Sequence, residues 1–230
     1  MIFNIKYNII MSSDEEIDYE DKPDIAKGFD RGIDFKDMKK KLIANYNFIV
    51  KFIDELNEDD KFYIRTRKKY LHRLIYNLIA MIQLRNGSRI VEACTALPLF
   101  LKNGIDNKVI VKIAKSKSVK YKNGEQYETK ARYRKIIFPF KWITLKFKKD
   151  IEFYIKLIDE SRLMKRVLDY MLKYFNCNTH SLRYAFINFM LHDQKKEMSI
   201  VAKAVGHVNV DQMVRYTQTK NVDKLMDEDI

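Results

Sequence analysis

A mainly helical chain with one small β-sheet, an α+β fold, is what the sequence predicts, and three observations carry that expectation. Apolar residues recur at three- and four-residue spacing through most of the chain. Two β-branched and aromatic runs flank an Asn-Gly pair, the signature of a hairpin. No apolar run approaches the ~18 to 20 residues that cross a bilayer, so no membrane span is expected. With 230 residues, 47% of them hydrophobic and 33% charged, the chain is long enough to bury a core and too apolar for disorder.

Taken in order, Met1–Met11 is apolar but carries Asn4, Lys6 and Asn8 and lacks a small-residue cleavage site, so no signal peptide is expected. Residues 1–33 read as an acidic tail, with Asp14, Glu15 and Glu16 leading towards Pro23 and Gly28. Residues 34–59 hold a first helix, with Leu42, Ile43, Tyr46, Ile49, Val50 and Ile53 on one stripe to about Leu56. The main domain is then 60–230. Its first helix buries Tyr70, Leu74, Leu78, Met81 and Ile82 and stops at Asn86-Gly87, a glycine C-cap. A short helix follows from Ser88 to about Ala96, before Pro98. Val109–Ile113 and Arg132–Phe138 are the arms of a hairpin with its tip at Asn123-Gly124, and after Pro139 helices return at 149–159, 161–175, 179–192, 196–205 and 210–217. Cys94 and Cys177, with no CxxC pair, give neither a disulfide framework nor a zinc site, so a reducing cytoplasm is the expected compartment.

Charge is unevenly distributed. The formal net charge is +13, yet residues 1–24 hold two lysines against seven carboxylates, net −5, which leaves +18 on residues 25–230. Lys108–Lys149 alone contains fourteen Lys or Arg against Glu125 and Glu128, interleaved with Tyr121, Tyr127, Tyr133, Phe138, Phe140 and Trp142. A solvated basic face would look the same in isolation. Beside the motifs below it reads as the footprint of a polyanion, with Lys112, Lys117, Lys120, Lys122, Lys130, Arg132 and Arg134 as candidate contacts.

Four short motifs stand out. Arg89 opens a helix directly after Asn86-Gly87-Ser88, where a cation is unfavourable for the helix dipole unless function or a partner such as Glu92 compensates it. His180 and Arg183 lie three apart beside the buried stripe of Leu182, Ala185, Phe186, Phe189 and Met190, with Thr179 as the expected cap. Gly206-His207 stops the next helix. Tyr216 follows nine residues later, off the stripe formed by Val210, Met213 and Val214, with Asn209 as that helix's expected cap.

In this order the motifs resemble the tyrosine recombinase (phage integrase) family over roughly residues 65–220. Asn86-Gly87-Ser88-Arg89-Ile90-Val91-Glu92 is similar to its first arginine box, T-G-x-R-x-x-E; Thr179–Phe186 to its H-x-L-R-h-x-F box; and Val205-Gly206-His207 with Tyr216 to L-G-H-x(8)-Y. The resemblance implies the catalytic-domain fold of that family and a site-specific recombinase or integrase acting on double-stranded DNA through a 3′-phosphotyrosine. Tyr216 would be the nucleophile, Arg89 and Arg183 the cations on the phosphate, His180 and His207 the imidazoles, and a hairpin lysine, Lys115 with Lys117 close behind, the acid for the leaving oxygen. A homotetramer on paired sites is implied too, with no cofactor and no catalytic metal. Elementary chemistry agrees with such a set: a phenol of pKa ~10 is a weak nucleophile at neutral pH, and charge gathering on phosphate oxygens calls for fixed guanidiniums.

The chain departs from the family at several places. Ser88 and Tyr184 stand where leucine and histidine are usual, the hairpin turn lacks its usual glycines, and residues 34–59 leave room only for a reduced DNA clamp or a linker. Type IB topoisomerases share the same chemistry and are the nearest alternative. A non-catalytic DNA-binding remnant of the family is the other, disfavoured by the intact set of two arginines, two histidines and a tyrosine.

Overall fold

The computed structural model describes residues 33–104, 108–114, 131–139 and 147–207, and of 119–122 and 125–128 the backbone. The first helix, α1 (Phe35–Asp54), is capped by Asp34, whose carboxylate accepts from Asp37 N at 2.7 Å. Met38, Leu42, Tyr46, Ile49 and Ile53 are buried on one stripe of it, each contributing about 1.5–3 kcal/mol if the apolar surface would otherwise be wet. They lie against α2 (Tyr63–Asn86), which runs through the middle of the molecule and is buried almost without interruption from Tyr70 to Leu84. A polar bracket fixes the contact. Asn77, fully buried, donates to Leu42 O at 3.0 Å and accepts from both Asn45 Nδ2 and the Tyr170 hydroxyl at 3.1 Å.

Helix α3 (Ile90–Asn103) is longer than expected, since it continues through Pro98. Proline removes one ladder bond, but Phe100 and Leu101 beyond it are at most 1% exposed and hold the last turn in the core. Strand β1 (Val109–Lys112) pairs antiparallel with β4 (Tyr133–Ile136), and β2 (Val119–Lys122) with β3 (Glu125–Glu128). The predicted long hairpin is thus two successive ladders. Val109, Val111 and Ile136 face the core, whereas Ile110, Lys112, Tyr133 and Lys135 face outwards.

The remaining helices are α4 (Lys148–Lys156), α5 (Glu160–Phe175), α6 (Thr179–Asn188) and α7 (Met198–Val205). The cap of α6 is Asn178, not Thr179: its side chain accepts from Ser181 N at 2.9 Å, one residue earlier than the sequence suggests. The helix predicted to run to 192 instead relaxes into one π turn, Phe189–Asp193. Helices α1 to α5 and the start of α6 share one hydrophobic core, while Phe186, Ile187, Val201, Ala202 and Val205 form a smaller one where α6 meets α7. Among the described residues no helix is long and apolar enough to cross a membrane.

Candidate active site

Four segments far apart in sequence meet at the end of α2. The first is the turn Asn86–Arg89. Gly87 adopts the left-handed conformation (φ +55°), and a Cβ there would lie 2.3 Å from Phe186 Cδ1, so both the turn and the close approach of α6 require glycine. Asn86 ties this turn to the strand side, donating to Ile137 O at 2.9 Å and accepting from Ile137 N at 3.0 Å.

The second segment is α6, through Arg183. Its side chain is 1% exposed and donates to Gly87 O and, at 2.9 Å, to Val205 O. Arg183 therefore joins the first and third motifs across a buried contact. The third segment is the end of α7, where Gly206 is again left-handed (φ +77°) and His207 N donates to Ala202 O at 2.9 Å. A Cβ on Gly206 would lie 3.1 Å from Ile113, so the turn that carries His207 packs on the fourth segment, the end of β1.

Glu92 joins these pieces electrostatically. Its side chain is fully buried and accepts from Arg89 N at 3.2 Å, Arg89 Nη1 at 3.3 Å, Ala114 N at 3.0 Å and Arg134 Nη1 at 3.5 Å. The helix-start arginine is thus compensated by the partner that the sequence offered, and one carboxylate serves two guanidiniums and a strand end. Arg134 also donates to Asn86 O. Burial pushes its guanidinium down to about 10, opposed by Glu92 and reinforced by Arg183 and Arg89, a mark of three like charges close together.

The predicted residues are placed as follows. Arg89 is the N-cap residue of α3, with its side chain 26% exposed, so its head group is reachable from solvent. Arg183 is buried. His180 is exposed and packs edge-on against Tyr184 at 4.9 Å, so the two polar residues of the second motif, expected on one face, differ sharply in exposure. His207 is half-buried beside the cluster. Lys115 and Tyr216 lie outside the described residues, as do Lys117 and Lys130 and the side chains of Lys120 and Lys122. Lys112 is exposed and Arg132 half-exposed.

Arg134 requires a correction. Expected on the outward arm of the hairpin, its side chain is only 8% exposed and turns inwards to Glu92. Cross-strand register explains this: Arg134 is opposite Val111 and two residues before Ile136, both buried, so the pleat carries it to the inner face. Among the described residues no group of three or more His, Cys, Asp or Glu gathers to hold a metal.

No family model matches the chain, and no solved structure matches it. Known sequences do. A Sputnik virophage protein named "Putative integrase V10" is 40% identical over 228 residues, covering 95% of this chain and 97% of the relative. A protein of Acidianus two-tailed virus, "Putative integrase ORF241", is 27% identical over 206 residues, 89% of this chain and 70% of its own length. An uncharacterized protein of Methanocaldococcus jannaschii is 27% identical over 84% of each chain. With two fifths of its residues shared across almost the whole of both sequences, the chain belongs to the same integrase family as the virophage protein.

Proposed function

We propose that the protein is a site-specific DNA recombinase of the tyrosine type, an integrase that cuts and rejoins strands through a 3′-phosphotyrosine. The observation that carries the reading is the convergence of Arg89, Arg183, the Gly206-His207 turn and Ala114, the residue before Lys115, around the turn that follows α2. The integrase names borne by its relatives agree with it.

Arg89, the solvent-reachable guanidinium, binds the non-bridging oxygens of the scissile phosphate. Arg183 adds a fixed charge behind it and, through Gly87 O and Val205 O, holds the first and third motifs in register. The Tyr216 oxygen attacks phosphorus, its proton passing to His207 or solvent, and a phosphotyrosine bond forms as the bond to the 5′-oxygen breaks. Lys115 donates the proton that leaves with that oxygen. Attack by a 5′-hydroxyl, of the partner strand in recombination, reverses the step and frees Tyr216. Because the phosphotyrosine conserves the bond energy, no nucleotide is consumed. His180, on the exposed side of α6, assists at the phosphate once DNA is present. The nine residues from His207 to Tyr216 can span at most roughly 30 Å, ample to return the phenol to the cluster.

The hairpin supplies the surrounding DNA contacts. Lys112 and Lys135 share the outward face of β1 and β4 with exposed Ile110 and Tyr133. Lys117, Lys120, Lys122, Lys130 and Arg132 are further candidate contacts from the sequence of the same basic stretch, and four protomers on two sites complete the reaction. Affinity should therefore fall steeply with salt.

A nicked suicide duplex, which traps the intermediate, should yield a protein–DNA adduct that survives denaturation. Tyr216→Phe should abolish it, and Arg89→Ala should slow its formation about 100- to 1000-fold with DNA affinity within about threefold, since the hairpin supplies most phosphate contacts. An adduct persisting in Tyr216→Phe would remove that residue from the role.

A further inference from the structure

A second basic region lies away from this cluster, at the opposite end of α2. Arg65, Lys68, Lys69, His72, Arg73 and Tyr76 recur at three- and four-residue spacing and so form one stripe. Facing it, α5 presents Arg166, Asp169, Tyr170, Lys173 and Tyr174 at the same period, and α4 closes one side with Tyr154. Together they line a groove of about 630 Å³. Its lining carries six Lys or Arg and one carboxylate, Asp169. Among the described residues none of those six cations is in a salt bridge.

One of the cations is braced rather than loose. The Arg73 guanidinium lies 4.3 Å from the Tyr174 ring centre and 4.8 Å from that of Tyr70. Such aromatic support fixes a guanidinium at low entropic cost. Burial first, and then Arg166 and Lys68, hold the His72 imidazole below its usual range. The cavity is of the size that takes one or a few nucleotides rather than a duplex, and the Tyr174 ring on its lining, 39% exposed, suits base stacking beside a cationic backbone track.

We propose that this groove is a binding site for a single nucleic-acid strand, its phosphates on the α2 and α5 cations and a base against Tyr174. It is separate from the strand-transfer cluster and would hold unpaired DNA while the other end of α2 acts on the scissile phosphate. The shared chemistry, phosphate recognition, could equally be met by free phosphate, and the test separates the two.

Anisotropy of a labelled oligothymidylate with the full chain measures strand binding without any cleavage, so its outcome is independent of the phosphotyrosine reading. Lys69→Glu with Lys173→Glu, both exposed, should weaken binding about tenfold or more while leaving adduct formation on the nicked duplex unchanged. Lys40→Glu with Lys102→Glu makes the same charge change on α1 and α3, and should cost less than about threefold. Equal losses in the two double variants would overturn the site in favour of bulk charge. Displacement of the strand by inorganic phosphate at matched phosphate concentration would overturn strand recognition in favour of a free-phosphate site.

Discussion

The two ends of α2 use the same residue type in opposite ways. At the Gly87 end, Arg134 and Arg183 are withdrawn from water and spend their donors on Glu92, Asn86 O, Gly87 O and Val205 O. At the Arg65 end, the six cations that line the groove are, among the described residues, in no salt bridge, while Arg67 beside them is paired with Asp150. A guanidinium that is buried must spend its charge on partners within the protein and so becomes a construction element. One that is exposed and unanswered keeps its field for a ligand. Arg89 sits between these limits, anchored to Glu92 yet partly exposed, which is why we propose it as the cluster's contact with the phosphate.

That contrast can be broken most forcefully at Glu92. Glu92→Ala leaves Arg134 buried beside Arg89 and Arg183 with no counter-charge, and should cost about 3–5 kcal/mol in chemical denaturation. A loss below about 1 kcal/mol would mean that the buried cluster does not need its carboxylate. Gly87→Ala comes next. The positive φ and the 2.3 Å approach to Phe186 Cδ1 should cost about 2–4 kcal/mol, and by shifting α6 from the turn it should also suppress adduct formation.

The smallest effect belongs to the groove. The folded-state pKa of His72 is depressed, by burial first and then by Arg166 and Lys68. Its contribution to stability is therefore present above the ordinary histidine value of 6.5 and is lost as pH falls below it, because the unfolded chain then takes up a proton that the folded chain refuses. His72→Gln should flatten the stability profile between about pH 6.5 and 5, measured by thermal unfolding across that range. An unchanged slope would place the acid sensitivity elsewhere.

Much of the frame was legible in the sequence because it obeys local rules. Gly87 and Gly206 end their helices as expected, since glycine is the residue that takes a left-handed turn without strain. The stripe of α1 is likewise read directly from its period. The departures come from tertiary context. Helix α6 is buried on every side from Ser181 to Ile187, so periodicity could not show that Arg183 points into the protein. Pro98 reads as a stop, but the core beyond it retains the helix. The inward course of Arg134 was available, two residues before Ile136 on a strand, but the surrounding run of lysines concealed it. The α2 stripe from Arg65 to Tyr76 was also visible at helical spacing; its meaning needed α5, because a groove has two walls.

Mapping the trapped intermediate tests the central claim most directly. Proteolysis of the adduct formed on a nicked duplex, followed by mass spectrometry, should find the nucleotide on the peptide containing Tyr216, joined through a 3′-phosphate and leaving a free 5′-hydroxyl on the released strand. Attachment to any other side chain, or through a 5′-phosphate, would contradict it.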